Sequence, residues 1–419
     1  MHHFKYRENA LFCEDVSIQD ISAKIGTPFY LYSYATLKRH FQVFDAAFDD
    51  VSKLICYSAK ANTNLTVLKI FADLGCGLDI VSGGELYRGL MAGFSPDRIV
   101  YSGVGKRADE IDYALETDIL MFNVESPVEL ELINQRAAGL KKKAPVAIRV
   151  NPDVDPKTHP YISTGLKKNK FGINTDAAIE SYRMAGKLEH VDVVGIDCHI
   201  GSQITETKPF EAALKSLKNL ITDLKQIGMD IKYLDMGGGL GITYADENPP
   251  PISEYAATMT QQLKGMDLKL ILEPGRVLVG NAGILVTKLL YRKAAETKNF
   301  MIVDAGMNDL LRPTLYNAFH AIEPVVISNE NQIVADVVGP ICESSDFLAV
   351  DRSIDNVKPG DLLAVMSAGA YGYVMSSNYC SRLRVAEVMV KEDRFHVIKT
   401  RETYEDLVRG ESLPPFLEA

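Results

Sequence analysis

Residues 54–82 read LICYSAKANTNLTVLKIFADLGCGLDIVS and contain two apolar runs with a longer segment between them. Its first six residues form a short apolar run typical of a buried strand, and residues 78–82 (LDIVS) form a second. Between them, Leu65, Leu68 and Phe71 recur at spacings of three residues, which predicts an amphipathic helix that ends near Gly75. The stretch is therefore a complete strand–helix–strand unit of the kind that builds parallel sheets.

The same alternation continues to about residue 276. Apolar strand-like runs occur eight times, and the segments between them show helical spacing of apolar residues. The predicted strands are 54–59, 78–82, 98–103, 118–124, 146–151, 193–201, 233–239 and 269–275. Because no G-x-G-x-x-G motif follows the first strand, the repeats favour an α/β fold of the (β/α)8 TIM-like barrel type over a doubly wound sheet.

A second domain is predicted after the barrel. Beyond Arg276 the sequence changes to alternating or β-branched runs separated by Gly, Pro and Asn turns, which indicates a mainly β C-terminal domain. We expect residues 1–25 to form an N-terminal segment that joins this β domain, 26–276 to form the barrel, and 277–419 to form the C-terminal β domain. The segment TPFYLYSY (27–34) is expected to enter the barrel region.

Composition and charge narrow the classes of function. The net charge of −10, without a long basic run, argues against nucleic-acid binding. No apolar run of ~18 residues occurs and the N-terminus lacks the layout of a secretory signal, so we expect a cytoplasmic protein that does not bind a membrane. Six scattered cysteines and eight histidines show neither C-x-x-C nor H-E-x-x-H spacing, so no disulfide framework and no metal site is predicted. A small-molecule partner is expected.

Several predicted strands are followed by residues that can perform chemistry. In a barrel the carboxyl ends of the strands open at one mouth, so these residues are expected to converge. Each also has an ordinary structural interpretation: a strand-end lysine is usually solvated, a glycine cluster can be a tight turn, and a histidine can belong to the core. The residues concerned are Lys60, Asp79, His199, Ser202, the glycines of GGGLG (237–241) and those of EPGR (273–276).

A lysine, a carboxylate, an imidazole and a glycine-rich anion site together favour pyridoxal 5'-phosphate (PLP), bound as an imine to Lys60. In that linkage Lys60 is neutral, which removes the cost of burying an ammonium group. Glu273 would keep the pyridine nitrogen protonated and His199 would stack on the ring. The glycines and Ser202 would hold the phosphate.

Seven motifs of the chain resemble those of one family. They are YSAKANTN (57–64), CHIGSQ (198–203), MGGGLGITY (236–244), EPGR (273–276), DAGMNDLLRPTLYNAFH (304–320), VVGPICESSD (337–346) and SAGAYGYVMSSNY (367–379). Together they closely resemble the diaminopimelate decarboxylases, which belong with alanine racemase and the ornithine/arginine decarboxylases to the fold type III PLP enzymes. The resemblance covers nearly the whole chain. It implies decarboxylation of meso-2,6-diaminopimelate at its D centre to L-lysine and CO2, the last step of lysine biosynthesis.

The resemblance also implies roles for individual residues. Lys60 resembles the imine lysine, His199 the stacking residue and Glu273 the partner of the pyridine nitrogen. Cys342 would protonate the carbanion left by CO2, and Glu343 would bind the distal ammonium; both are expected to reach into the barrel of a partner subunit, so that a homodimer shares its active sites. The other expected cofactor contacts are Asp79, Ser202, Gly238, Gly239, Gly275, Arg276 and Tyr371, and the other expected substrate contacts are Arg276, Arg312, Tyr316 and Tyr371.

Three other functions remain as alternatives. An amino acid racemase of this fold typically places arginine opposite the pyridine nitrogen, so Glu273 argues against it. Decarboxylases of ornithine, arginine or carboxynorspermidine act on substrates without the second amino acid end, so CES and MNDLLRP favour diaminopimelate. A non-catalytic PLP carrier would leave the β domain unexplained. The sequence departs from the family at Cys380, where asparagine is expected, and at Leu383, where proline is frequent.

Overall fold

The computed structural model describes residues 2–155, 170–296, 298–328 and 331–417 of the 419-residue chain. The strands are β1 Phe4–Arg7, β2 Ala10–Cys13, β3 Val16–Ser17, β4 Phe29–Ser33, β5 Lys53–Ser58, β6 Gly77–Ile80, β7 Ile99–Tyr101, β8 Met121–Val124, β9 Ala144–Asn151, β10 Ile173–Asn174, β11 Val191–Asp197, β12 Tyr233–Asp235, β13 Lys269–Leu272, β14 Gly283–Ala294, β15 Asn299–Val303, β16 Ile322–Pro324, β17 Gln332–Val338, β18 Phe347–Asp355, β19 Leu362–Val365, β20 Ala386–Lys391 and β21 Arg394–Lys399. The α-helices are α1 Ile18–Ile25, α2 Tyr34–Ala46, α3 Leu65–Asp73, α4 Gly83–Ala92, α5 Ala108–Thr117, α6 Pro127–Gly139, α7 Thr175–Ala185, α8 Lys208–Gln226, α9 Ile252–Leu263, α10 Arg276–Val279, α11 Arg312–Tyr316 and α12 Tyr404–Leu407. Among the helices of the described residues, none is long and apolar enough to cross a membrane.

The chain divides into two compact units, and the first, Leu37–Gly280, contains a closed barrel. Eight parallel strands pair in the order β5, β6, β7, β8, β9, β11, β12 and β13, and β13 pairs with β5 to close the ring. All eight predicted strands are present, so the predicted (β/α)8 barrel is confirmed. The two-residue strand β10 pairs in parallel with β9 and was not predicted.

Local sequence explains why the barrel units form. Five of the six residues of β5 are buried, as expected for a parallel strand covered on both faces. Helix α3 begins after Asn64, whose side chain accepts a hydrogen bond from the backbone N–H of Thr66 at 2.9 Å. Helix α4 begins after Ser82, which accepts from the Glu85 N–H, and ends at Gly93 with a φ of 92°. These units place the loops after the strands at one mouth.

Small and medium apolar side chains fill the interior of the barrel. Because these side chains pack against one another, the barrel has a solid core and its chemistry is confined to the mouth. The interior cluster consists of Leu54, Cys56, Val100, Met121, Ala147, Val194 and Ile271.

The second unit, Met1–Thr36 with Asn281–Ala419, is mainly β. Its large sheet has the order β18, β17, β15, β14, β4, β20 and β21, and β19 pairs with both β14 and β16. Strands β1, β2 and β3 form a small antiparallel sheet of their own, which reaches the rest of the unit through a bridge between Ala10 and Val326. The predicted second β domain is confirmed.

The expected entry of residues 27–34 into the barrel needs correction. All five residues of β4 (Phe29–Ser33) are buried, and the strand pairs antiparallel with β14 and parallel with β20 in the large sheet. An apolar run of this kind predicts a buried strand but carries no information about which sheet it joins. The units consequently divide after Thr36 and Gly280, not after residues 25 and 276 as expected.

Candidate active site

Lys60 lies directly after β5, and its amine contacts a buried carboxylate. Lys60 Nζ donates to Asp79 Oδ2 at 2.6 Å, and Ser58 Oγ donates to the same oxygen. The Asp79 side chain is fully buried, whereas 35% of the Lys60 side chain is exposed. Asp79 therefore holds the lysine amine at the boundary between the barrel core and the open mouth, as its position after the strand predicted.

Glu273 ends the last barrel unit and belongs to a crowded group of buried acids. One carboxylate oxygen from each of Asp197, Asp235 and Glu273 lies within 4.8 Å of the others. Asn123 Nδ2 donates to Asp235 Oδ2 at 3.1 Å and to Glu273 Oε1 at 3.4 Å. Ser102 Oγ lies 3.3 Å from the same Glu273 oxygen. We call Asp197, Asp235 and Glu273 the acid cluster.

The acid cluster is too crowded to ionise fully. Burial raises the pKa of Glu273 well above its ordinary value, and the neighbouring Asp235 and Asp79 raise it further. Burial also raises the pKa of Asp235 to about 6. Carboxylates this close share a proton or require a cation. No metal site was predicted from the sequence, and a protonated ring nitrogen would meet the same need for positive charge.

His199 follows β11 and carries a neutral imidazole. Its Nδ1 accepts a hydrogen bond from the backbone N–H of Gly238 at 3.2 Å, so the ring proton resides on Nε2. Burial lowers the pKa of His199 well below its ordinary value, and the cations Arg149 and Lys60 lower it further. The structure therefore provides a flat, uncharged ring beside the glycines, which suits the predicted stacking role.

The glycines after β12 bring the backbone closer than side chains would allow. A Cβ atom at Gly238 would lie 2.2 Å from the carbonyl oxygen of Glu273. At Gly239, where φ is +116°, a Cβ atom would lie 2.5 Å from the carbonyl oxygen of Gly201. Side chains are thus excluded by the close packing of the backbone, and the N–H of Gly238 is already used by His199 Nδ1. We call these residues, with Gly275, the glycine cradle.

Arg276 brings a positive charge to the loops around the mouth. Its side chain is buried, with 6% exposed, and it donates to Ser202 Oγ at 3.0 Å and to the Tyr244 hydroxyl at 2.7 Å. A Cβ atom at Gly275 would touch the Cβ atoms of Ser58 and Ala61 at 3.0 and 3.1 Å. The structure therefore brings together the predicted residues Ser202, Gly275 and Arg276 within the barrel unit.

Sequence analysis missed several polar residues of the mouth. Asn123 and Ser102 connect the acid cluster, while Arg149 donates to Glu125 at 2.6 Å and lies 3.8 Å from Asp197. Asn123, Asp197 and Arg149 lie at or near the carboxyl ends of β8, β11 and β9, and Ser102 follows β7. The rule that selected Lys60 would have found them if it had been applied to every predicted strand end.

In the β unit, Cys342 and Glu343 are exposed on one short loop. The Asp346 carboxylate organises this loop, since it accepts hydrogen bonds from the backbone N–H groups of Ile341 and Met307, both at 2.6 Å. The Tyr379 hydroxyl donates to Glu343 Oε2 at 3.4 Å. A thiol and a carboxylate are therefore presented side by side at the surface of this unit.

The remaining predicted residues lie near α11 and the AYGY segment. Arg312 begins α11, is 6% exposed, and points its Nη1 at His320 Nε2 at 3.0 Å. Tyr316 ends the same helix and is partly exposed. Tyr371 has a φ of +55°, an uncommon conformation for a residue other than glycine and one that is frequent at functional sites. The predicted site residues thus form two groups, one within each unit.

Comparisons with known proteins identify one family. The family described as "Pyridoxal-dependent decarboxylase, pyridoxal binding domain" matches residues 34–280. The chain is 51% identical over 407 residues to a diaminopimelate decarboxylase of Aquifex aeolicus strain VF5, covering 97% of this chain and 96% of that one. It is 50% identical over 415 residues to one of Pseudomonas aeruginosa, covering 99% and 100%. A crystal structure of diaminopimelate decarboxylase from Helicobacter pylori complexed with L-lysine matches with a TM-score of 0.90 and 44% identity, over 93% of this chain and 98% of that one. The chain belongs to the diaminopimelate decarboxylase family of pyridoxal-dependent decarboxylases.

Proposed function

We propose that the protein is a PLP-dependent carboxy-lyase that removes the carboxyl group at the D centre of meso-2,6-diaminopimelate and releases L-lysine and CO2. This is the last step of lysine biosynthesis. The convergence of Lys60, the acid cluster and the glycine cradle at one barrel mouth carries the proposal, because these groups meet the three chemical needs of PLP. The relatives that share about half of their residues with this chain are named for the same reaction.

The residues of the mouth fit PLP on physical grounds. Gly239 of the glycine cradle packs against the loop of Ser202, whose hydroxyl accepts from the buried Arg276, and a guanidinium beside a hydroxyl can bind a phosphate. The acid cluster has too little positive charge around it to ionise fully. Within the described residues, Asp79 Oδ1 and Asn123 Oδ1 are also buried without a hydrogen-bond partner. Both conditions favour a bound group that brings a cationic, hydrogen-bond-donating nitrogen into the mouth.

The barrel residues then divide the work of holding the cofactor. When bound, PLP accepts the electron pair that remains at the substrate's α-carbon after CO2 departs. Lys60 supplies the amine that anchors it, and Asp79 orients that amine. Glu273 would hold the proton on the ring nitrogen of the bound cofactor, since the neighbouring acids make a nearby positive charge favourable. The uncharged ring of His199 would stack on the cofactor without adding a second positive charge beside it.

The phosphate is assigned to the glycine cradle with Ser202 and Arg276. The contact of Arg276 with Ser202 at 3.0 Å supports this, because it joins a guanidinium to a hydroxyl that can donate to an anion. Tyr371 adds a further contact to cofactor and substrate. Its positive φ is the kind of backbone strain that persists where geometry serves a function.

The substrate roles fall mainly to the β unit. Cys342 donates a proton to the α-carbon after CO2 leaves, and Glu343 binds the distal ammonium. Both side chains are exposed on a loop that Asp346 holds in place, so they can reach a second chain. Arg312, Tyr316 and Arg276 bind the distal carboxylate, for which arginine offers paired N–H donors.

We therefore propose a homodimer in which the Cys342 loop of one protomer completes the barrel mouth of its partner. The proposal includes a cytoplasmic location, which the six free cysteines support because structural disulfides are rare there.

A substrate panel tests the proposed function. The purified protein with PLP is incubated separately with meso-, LL- and DD-diaminopimelate, ornithine and arginine, and CO2 and the stereochemistry of the product are measured. We expect CO2 from the meso isomer with L-lysine as product. Lys60→Ala should abolish turnover, whereas Lys69→Ala, at an exposed lysine of the same βα unit, should not. CO2 from ornithine or arginine alone, or racemisation without CO2, would reject the proposal.

The shared active site has its own test. Lys60→Ala removes the lysine of a site, and Cys342→Ala removes its thiol. The two variants are mixed at random. If each site takes its lysine from one protomer and its thiol from the other, a dimer of one Lys60→Ala and one Cys342→Ala protomer has one intact site. Half of the dimers are then mixed and carry one working site of two, so activity should return to about a quarter of that of the wild type. No recovery after subunit exchange would contradict the shared site.

A further inference from the structure

We propose that His320 is a positioning residue that fixes the guanidinium of Arg312 for the distal carboxylate of the substrate. The inference rests on the proposed function, because that function makes Arg312 a substrate ligand. It concerns contacts within the β unit alone. His320 touches neither substrate nor cofactor in this proposal and acts through Arg312.

The chain turns back on itself to bring the two side chains together. Helix α11 ends at Tyr316, and Asn317 follows with a φ of +50°, which reverses the chain direction. Strand β16 then begins at Ile322, which pairs with Val365 of β19. The backbone N–H of Met366 donates to the carbonyl of Ala321 at 2.8 Å. His320 is thereby placed beside both Met366 and Arg312.

The two contacts of the His320 ring determine its tautomer. Nδ1 lies 2.8 Å from the carbonyl oxygen of Met366, which can only accept, so Nδ1 carries the proton. Nε2 lies 3.0 Å from Arg312 Nη1, which can only donate, so Nε2 is unprotonated and accepts. His320 is therefore neutral, and its two ring nitrogens form a rigid link from the sheet to the guanidinium.

His320 is buried, and both its ring and its backbone carbonyl are bonded to neighbouring residues. Its side chain is fully buried, with 0% exposed. Its carbonyl accepts from Arg352 Nη1 at 2.9 Å, and the Arg352 guanidinium lies 3.7 Å from the ring centre of Phe319. The contact with His320 uses one of the five N–H donors of Arg312 and fixes the plane of the others. A preorganised fork binds a carboxylate more tightly because less side-chain freedom is lost on binding.

Two substitutions separate the role of each ring nitrogen. In His320→Gln the amide oxygen extends to about the position of Nε2 and can accept from Arg312. In His320→Asn the shorter amide can still donate to Met366 but offers Arg312 no acceptor. His190→Asn is the matched control, since Nδ1 of His190 also contacts a backbone carbonyl, that of Lys142 at 3.2 Å, in the barrel unit.

The measurement is the affinity of PLP-loaded protein for L-lysine and for cadaverine, determined by calorimetry. Cadaverine is L-lysine without the carboxylate that Arg312 would bind. We expect His320→Asn to lower the affinity for L-lysine by about tenfold or more, because Arg312 loses the partner that positions it. The affinity for cadaverine should fall by less than about twofold, because cadaverine has no carboxylate for Arg312 to bind. His320→Gln and His190→Asn should bind both ligands within about threefold of the wild type.

Two results would overturn the inference: wild-type affinity for L-lysine in His320→Asn, or an equal loss for both ligands. If His320→Asn does not fold, as judged by thermal unfolding, His320→Gln decides, and a tenfold loss of L-lysine affinity there also overturns it. Arg312→Lys distinguishes this failure from failure of the proposed function. Suppose that the wild type decarboxylates diaminopimelate, and that Arg312→Lys lowers the affinity for L-lysine while His320→Asn does not. That combination of results would reject only the role of His320.

Discussion

The free energy of unfolding of the cofactor-free protein should fall as the pH rises, and replacing Asp235 by asparagine should make that fall smaller. Burial raises the pKa of Asp235 from 3.8 to about 6. The folded protein therefore holds this proton more tightly than the unfolded chain does. The stabilisation from this proton, about 3 kcal/mol, is present below about pH 4 and is lost as the pH rises through about 6.

The substitution changes hydrogen bonds as well as charge, and the two effects can be separated. The new amide would keep an oxygen for the Gly237 N–H, which now donates to Asp235 Oδ1 at 2.9 Å. Its amide nitrogen would face Asn123 Nδ2, and rotation of the Asn123 amide would present the oxygen that has no partner among the described residues. These changes shift stability equally at all pH values, so the slope reports the titration of Asp235 and of the acids whose pKa it raises.

The assay is urea unfolding followed by circular dichroism at several pH values between about 4 and 8. Across this range the free energy of unfolding of the wild type should fall by about 2 kcal/mol more than that of Asp235→Asn. Asp192→Asn, at an exposed acid of the neighbouring strand β11, should follow the wild type. Parallel curves for the wild type and Asp235→Asn would refute the crowding of the acid cluster.

Three further substitutions test other parts of the structure. In Gly239→Ala the new Cβ atom would sit at a residue with a φ of +116° and lie 2.5 Å from the Gly201 carbonyl oxygen. The free energy of unfolding in urea should therefore fall by at least about 2 kcal/mol, and the variant should bind PLP more weakly. Gly265 has a φ of +80° with open space around it, so Gly265→Ala should lower the free energy of unfolding by less. Equal decreases in the two variants would contradict the close approach of Gly239 to the Gly201 carbonyl. Cys380→Asn should raise the free energy of unfolding by about 0.5 kcal/mol, because φ at this position is +55° and asparagine adopts such angles more readily; an unchanged value would contradict this. Cys342→Ala should lower kcat by about 100-fold or more while PLP absorbance is retained, and unaltered turnover would exclude Cys342 as the proton donor.

Much of the barrel was predictable from local patterns. Parallel strands are buried on both faces and therefore read as continuous apolar runs, and helices between them show a different period. The same criterion failed for Phe29–Ser33, whose apolar residues predict burial but not a partner strand. Its neighbours, β14 and β20, begin more than 240 residues later in the chain, and no local pattern records such pairing.

Candidate site residues were predictable where chemistry requires an unusual residue at a strand end, as for Lys60 and Glu273. The network around Glu273 was not predicted, because Asn123 reaches Asp235 and Glu273 across 112 and 150 residues of sequence. His320 lies within a motif that carries the family resemblance. Its contact with Arg312 depends on a chain reversal and on β16 pairing with β19, so it emerges only from the folded structure.

The lysine that binds PLP can be located by chemical trapping. The protein is incubated with PLP, treated with sodium borohydride to make the bond between lysine and cofactor permanent, digested, and analysed by mass spectrometry. We expect the added mass on the peptide that contains Lys60, with Glu273→Ala reducing the amount bound because the ring nitrogen loses its partner. Label on a different lysine, or no label at all, would contradict the assignment of the barrel mouth as the PLP site.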